Sequence, residues 1–282
     1  MSEAKTTSEQ ATVKGPLLLV GCGKMGGALL SGWLEGGTPA EQVHLVEPNI
    51  ESVAGFIGQG ARHHRSVADL PGDLVPQVVL LAVKPQMMEQ ALADLPSWPA
   101  ESTVHLSIAA GKPLAWFEQR LGAAAAVVRA MPNTPAAIGR GMSVLVAAPR
   151  VDAAQRALCT SLMEAVGEVD WVEDEALIDV VTALSGGGPA YVFLLAEVLA
   201  AAGVKAGLPE QLAERLARVT VAGSGELLHR SPEAAAVLRR NVTSPAGTTQ
   251  EALEVLMAEG GLQALFDEAL AAATRRSREL AQ

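Results

Sequence analysis

At 282 residues, with 49% hydrophobic and 18% charged residues, the chain is too apolar for disorder and has room for two domains. A net charge of −10 with a pI near 5.0 argues against a nucleic-acid backbone or an anionic membrane surface as partner. Aromatic residues make up only 3%, so a core must come from Ala, Leu and Val, while the two cysteines, Cys22 and Cys159, imply no disulfide framework.

Residues 1–14 are polar and read as a flexible tail without the charged-then-apolar order of a signal peptide. Leu17–Val20 is a short apolar run ending at Gly21, as a buried strand would. Gly26 to Gly37 is apolar on one face (Ala28, Leu29, Trp33) and stops at a Gly pair, which predicts a helix. Strand character returns at Val43–Val46, then at Val78–Val83, Thr103–Ile108, Ala126–Arg129 and Met142–Ala147, with helices expected over 53–60 and 113–121. This alternation means βαβ units and a mainly parallel, doubly wound, Rossmann-like sheet. Arg62-His63-His64-Arg65 reads as a solvated basic cluster that could fold back towards a phosphate.

Beyond about residue 150 the pattern turns helical: 153–166, 175–184, 191–202, 209–229, 232–240, 249–259 and 262–280, with 168–172 the only further strand. The expected organisation is a dinucleotide-binding domain over 15–168 and an all-helical domain over 169–282. Val192–Ala202 is apolar nearly all round, and a domain of ~110 residues has limited room to enclose such helices. Self-association through the C-terminal helices is the natural cover. No uncharged apolar run approaches the ~18–20 residues that span a bilayer. A soluble, cytoplasmic protein with no nucleic-acid or membrane partner is expected. The five histidines show no metal spacing, so no metal is expected.

Gly21-Cys22-Gly23-Lys24-Met25-Gly26 fits G-x-G-x-x-G between a strand and a helix. The first Gly allows a tight turn, the second lets a pyrophosphate approach the backbone, and the third packs helix on strand. Glu47 closes the second strand 21 residues after Gly26, where an acid meets a ribose diol. A carboxylate there suits NADH over NADPH, because a contact with a 2′-phosphate at ~4 Å and a dielectric of ~20 costs on the order of 4 kcal/mol. Ala82-Val83-Lys84, Ala110 and Asn133 follow the ends of later strands, where a cofactor lies against carboxyl ends. Lys84 is equally a helix-start lysine facing water, and Met131-Pro132-Asn133-Thr134-Pro135 is also good turn punctuation.

Asn241 to Thr249 holds four hydroxyls (Thr243, Ser244, Thr248, Thr249) and then opens an apolar-periodic helix. Partnerless N–H groups and the positive end of a helix dipole suit a carboxylate, although a plain N-cap explains the same residues.

These motifs occur in one order: Gly21–Gly26, Ala82-Val83-Lys84-Pro85-Gln86, Arg129–Pro135, Ser185-Gly186-Gly187-Gly188-Pro189-Ala190-Tyr191-Val192-Phe193 and Val242–Thr249. Over about residues 15–280 the chain resembles the pyrroline-5-carboxylate reductase family, the last two motifs being specific to it. The resemblance implies reduction of the cyclic imine Δ1-pyrroline-5-carboxylate to L-proline with hydride from NADH or NADPH. It implies that Thr249 stands beside the ring nitrogen, and that Ser244 with the N–H groups of Gly247, Thr248 and Thr249 holds the substrate carboxylate. It also implies C-terminal helices interlocked between two subunits, with dimers often gathered into a ring of five. Gly187 stands where the family usually has Ser, and Ala246 where it often has Gly, a substitution that strains the chain if that position needs positive φ.

Two rival readings stand beside this one. A β-hydroxyacid dehydrogenase would need a lysine on a mid-chain helix, and Lys205, the only lysine after Lys112, reads better as a helix-end cation. A non-catalytic dinucleotide sensor would have no use for the Ser244–Thr249 loop.

Overall fold

The computed structural model describes Val13 and residues 15–281. The tail expected over 1–14 lies outside the described residues apart from Val13, which packs against the first core. Eight strands, β1 (Leu17–Val20), β2 (Val43–Val46), β3 (Arg62–His64), β4 (Val78–Leu81), β5 (Val104–Ser107), β6 (Ala126–Met131), β7 (Gly141–Ala147) and β8 (Gly167–Trp171), form one sheet. Their order is β3-β2-β1-β4-β5-β6-β7-β8. Only the β6–β7 pairing is antiparallel. The order reverses between β1 and β4, the crevice where an open parallel sheet binds ligands.

Every residue of β1, β2, β4 and β5 is buried, which is why they read as continuous apolar runs. Alternate side chains serve opposite cores. Leu17, Leu19, Leu45, Val78 and Leu80 point to one, shared with Leu29, Leu30 and Trp33 of α1 (Lys24–Glu35). Leu18, Val20, Val79 and Leu81 point to the other. They meet Met88 and Leu92 of α3 (Met88–Ala93) and Phe117 of α4 (Leu114–Leu121) there. A short α2 (Ala54–Gly58) links β2 to β3, and α5 (Ala153–Glu164) links β7 to β8.

Two expectations need correction. The basic cluster at 62–65 is not simply solvated surface: its first three residues are the edge strand β3. His63 Nε2 donates to the Glu47 carbonyl (2.7 Å), and His64 Nε2 meets His44 Nδ1 (2.9 Å), while Arg62 and Arg65 stay exposed. Their apolar neighbours are few, so no hydrophobic pattern announced the strand. The domain boundary also moves. One compact unit runs to Gly186 and takes back the chain from Thr274; the other is Gly187–Ala273. The strand at 167–171 pairs with β7, and Ile178 of α6 (Leu177–Val181) is buried in the second core, so both belong to the first unit. The glycines at 186–188 stand where the long apolar helix opens: Gly187 is its cap and Pro189 lies in its first turn. A π-helical turn over Thr182–Gly186 joins α6 to α7 (Gly188–Lys205). The resulting 29-residue helix, Leu177–Lys205, is long and apolar enough by composition to cross a membrane, and its apolar window is not buried within the chain.

The second unit contains α7, α8 (Glu210–Arg230), α9 (Ala235–Asn241), α10 (Thr248–Leu256) and most of α11 (Leu262–Leu280). A Cβ at Gly203 would lie 3.3 Å from the Ala213 Cβ, so α7 and α8 pack through small residues. Among the described residues of this unit, Ala213 and Ala217 alone are buried. Phe193 is 63% exposed and Val219 64%: the unit has hardly any core of its own.

Candidate functional site

The three glycines after β1 have three separate geometries. Gly21 has φ +86, and a Cβ there would stand 2.7 Å from Val83 Cγ1, so turn and packing both demand glycine. Gly23 caps α1 with no side-chain bond, and a Cβ there would meet only open space within 4 Å. A Cβ on Gly26 would come within 2.7 Å of the Gly21 carbonyl and 3.2 Å of the Ala82 Cβ, which fixes the close approach of helix to strand. With no acid in the first turn of α1, this cradle fits an incoming diphosphate. Lys24 is exposed at its edge, whereas Met25 turns its side chain towards the first core.

Glu47 reaches across the mouth of this loop. Its Oε2 accepts from Cys22 N–H (3.0 Å) and its Oε1 from Asn49 N–H (3.1 Å). Burial and this neighbouring carboxylate push the Cys22 thiol up to about 11, so it is neutral and no nucleophile.

The remaining residues expected to line the cofactor lie along the same carboxyl edge. Ala82 and Val83 are half-buried after β4, and Lys84 is exposed at the start of the following turn. Ala110 is exposed in the loop after β5. Asn133 also braces its own chain, with one hydrogen bond at each end of its carboxamide. Its Oδ1 accepts from Met142 N–H (2.9 Å) and its Nδ2 donates to the Ser185 carbonyl (3.2 Å) in the π-helical turn. Two residues passed over in the sequence hold this wall: Ser107 Oγ accepts from Ala109 N–H (3.3 Å) and Glu175 Oε1 from Leu114 N–H (2.7 Å).

Ser244, Gly247, Thr248 and Thr249 come together in the second unit, at the start of α10. The cap is Gly247, and no side chain caps the helix, so a hydroxyl N-cap does not account for these residues. Thr248 and Thr249 open the first turn, where N–H groups lack intrahelical partners. The Gly247 N–H, expected to face a ligand, is instead taken by the Ser244 carbonyl (3.0 Å), which closes the turn. Thr243 Oγ1 donates back to Arg239 (2.7 Å). Among the described residues, the Ser244, Thr248 and Thr249 hydroxyls make no hydrogen bond within the chain. Lys205 ends α7 as an exposed last-turn cation, remote in sequence from any loop of this kind.

Ala246 has φ +53, the only non-glycine residue with positive φ among those described. The left-handed region costs an alanine ~1–2 kcal/mol, part of which a glycine returns through its looser unfolded state. Ala246→Gly is therefore expected to raise stability by up to about 1 kcal/mol, read as an upward shift of the thermal midpoint at fixed protein concentration. A fall would show that the loop tolerates alanine without strain.

Known proteins match both parts. A model described as pyrroline-5-carboxylate reductase dimerisation matches residues 175–280, and one described as NADP oxidoreductase coenzyme F420-dependent matches 17–111. The pyrroline-5-carboxylate reductase of Pseudomonas aeruginosa is 42% identical over 274 residues, covering 94% of this chain and 97% of its own. The solved pyrroline-5-carboxylate reductase of Coxiella burnetii superposes with a TM-score of 0.88 at 35% identity, covering 95% of this chain and 99% of its own. That of Plasmodium falciparum, solved with NADP bound, gives 0.79 at 26% identity over 96% of this chain and 100% of its own. With identity of this order running from the glycine cradle through α10, the chain belongs to the pyrroline-5-carboxylate reductase family.

Proposed function

We propose that this protein reduces Δ1-pyrroline-5-carboxylate to L-proline with NADH or NADPH. The observation that carries the reading is the start of α10, where three unbonded hydroxyls and two partnerless N–H groups gather with no acid or base over residues 241–250. That is a set of groups for holding a carboxylate and a ring nitrogen, and it lacks a strong proton donor. A cyclic imine needs none, because water protonates it readily. When bound, the nicotinamide dinucleotide supplies the hydride.

In this reading Gly21–Gly26 and Glu47 hold the dinucleotide's diphosphate and ribose, with Ala82–Lys84 and Ala110 along its far side. Ser244 and the N–H groups of Thr248 and Thr249 take the substrate carboxylate at the positive end of α10. Thr249 orients the ring nitrogen and passes a proton from water, since its own hydroxyl is too weak an acid to act alone. Catalysis is then mainly positioning. The two cysteines, both buried and free, suit a cytoplasmic setting.

Purified protein is expected to oxidise NADH or NADPH when given Δ1-pyrroline-5-carboxylate, with L-proline identified as product. Absence of turnover with both cofactors, in folded protein, would remove the reading.

A lean towards NADH rests on Glu47. Glu47→Ser is expected to raise kcat/KM with NADPH relative to NADH by roughly tenfold, solvent at a half-exposed carboxylate cutting the ~4 kcal/mol of an unscreened contact. A strong wild-type preference for NADPH would show that Glu47 does not face the ribose.

A further inference from the structure

The loop between β5 and α4, residues 108–113, carries Ala110 at the carboxyl edge of the sheet and is fastened at several points within the first unit. At its start, Ala109 N–H donates to Ser107 Oγ. At its end, Leu114 is the first residue of α4, and its N–H has no intrahelical acceptor. Glu175 Oε1 supplies one from 61 residues along the chain, at 2.7 Å. The same oxygen pairs with Arg129 Nη1, on a β6 residue that is only 7% exposed and lies in register with Ser107.

In the middle of the loop, Gly111 has φ +71, and a Cβ there would stand 3.0 Å from the Leu280 carbonyl at the end of α11. That helix end is itself tied down. Ser277 Oγ donates to Asp179 Oδ1 (2.6 Å), and Arg278 Nε lies 3.8 Å from Asp179 Oδ2. The next loop residue, Lys112, lies with its ammonium 4.7 Å from the Trp116 ring centre.

We propose that Glu175 and Asp179 form a clamp on the Ala109–Lys112 loop, Glu175 through Arg129 and the start of α4, Asp179 through the end of α11. Both are positioning residues: they touch neither cofactor nor substrate, and they fix the wall against which the nicotinamide ring is held. The inference rests on the proposed function, in which Ala110 of this loop lines the bound dinucleotide, and takes the nicotinamide end as the part the loop meets. With the Glu175 side chain 30% exposed, its pairing with Arg129 adds little to stability. What the pair supplies is fixed geometry, with one carboxylate oxygen anchored by a guanidinium and aimed at a single N–H.

The test compares wild type with Glu175→Gln, Asp179→Ala and Asp179→Asn in the full chain, measuring kcat, cofactor Kd, the primary isotope effect with 4-deuterated nicotinamide, and amide exchange over 108–114. Asp179→Asn keeps an acceptor for Ser277; Asp179→Ala does not. The expected result for Asp179→Ala is a fall in kcat of about ten- to a hundredfold, as for ångström-scale misplacement of reacting groups, and for Glu175→Gln, whose amide oxygen still accepts from Leu114 N–H but offers Arg129 no charge, a smaller fall of a few-fold. Cofactor Kd should stay within about twofold, because the diphosphate cradle is untouched. The isotope effect should rise as hydride transfer becomes limiting, exchange over 108–114 should quicken, and Asp179→Asn should recover most of the loss.

A lower thermal midpoint with unchanged kcat and isotope effect per folded subunit would overturn the clamp and leave a structural tie. Should Glu175→Gln fail to fold, the Asp179 pair of variants carries the comparison. If wild type itself shows no turnover, the proposed reaction falls and exchange over 108–114 decides the clamp alone, unchanged exchange in Asp179→Ala overturning it.

Discussion

Thr249→Ala should lower kcat/KM for Δ1-pyrroline-5-carboxylate by roughly ten- to a thousandfold, because one positioned hydroxyl is worth a few kcal/mol at most. Cofactor affinity should be unchanged, since Thr249 lies in the first turn of α10 and the dinucleotide cradle is built from residues after β1, β2 and β4. The Thr249 side chain is exposed and bonded to nothing in its own chain, so deleting it removes no internal hydrogen bond and should leave the fold's stability alone. Its effect is thereby isolated in catalysis. Thr249→Ser, which keeps the hydroxyl, should retain most of the activity. Ser244→Ala should act differently, raising KM for the substrate more than it lowers kcat, because a carboxylate is held equally in ground and transition states. Steady-state kinetics with both cofactors separate these patterns. Wild-type values for Thr249→Ala would mean that something else places the ring nitrogen.

Much of this architecture is legible in the sequence for a simple reason. Strands buried on both faces leave unbroken apolar runs, as at Leu17–Val20 and Val78–Leu81, and the glycines between strand and helix carry their own spacing. Reading fails where a segment is held by something other than apolar burial. β3 is written Arg-His-His because its place depends on ring-to-backbone and ring-to-ring hydrogen bonds at a sheet edge. The unit boundary was misplaced because β8 alternates half-buried with exposed residues and so looked isolated, although its partner strand lies in the first unit. Asn133 follows β6 at the carboxyl edge as its position suggests; nothing local reveals that its carboxamide also bonds Met142 and Ser185. The clamp on residues 108–113 was invisible for the same reason, since Arg129 and Glu175 are 46 residues apart and Asp179 and Ser277 are 98.

The second unit should exist in solution only as part of a dimer or a multiple of dimers, even at low micromolar concentration. Its helices bury two alanines among the described residues and leave Phe193, Leu194, Val198, Leu216, Val219, Leu265 and Phe266 largely exposed. Apolar surface of that extent is unusual on a monomer, and a unit of 87 residues could not offset the entropy of ordering its chain without covering it. A second copy supplies the same apolar helices in return, as a two-fold interface requires. Sedimentation should show no separable folded monomer, and dissociation should coincide with loss of helical signal on denaturation. If the Ser244–Thr249 loop of one copy serves the dinucleotide cradle of the other, complementation between two impaired variants follows. Gly23→Val fills the open space over the cradle and Thr249→Ala removes the orienting hydroxyl, so each variant alone should be at least about tenfold impaired. Refolded together in equal amounts, half of the dimers are mixed, and one of the two sites in each mixed dimer draws both of its halves from unaltered parts. Activity should therefore return to about a quarter of wild type if the site is shared, and stay at the sum of the parents if each copy is self-sufficient. A monodisperse, active monomer would remove both the obligate dimer and the shared site.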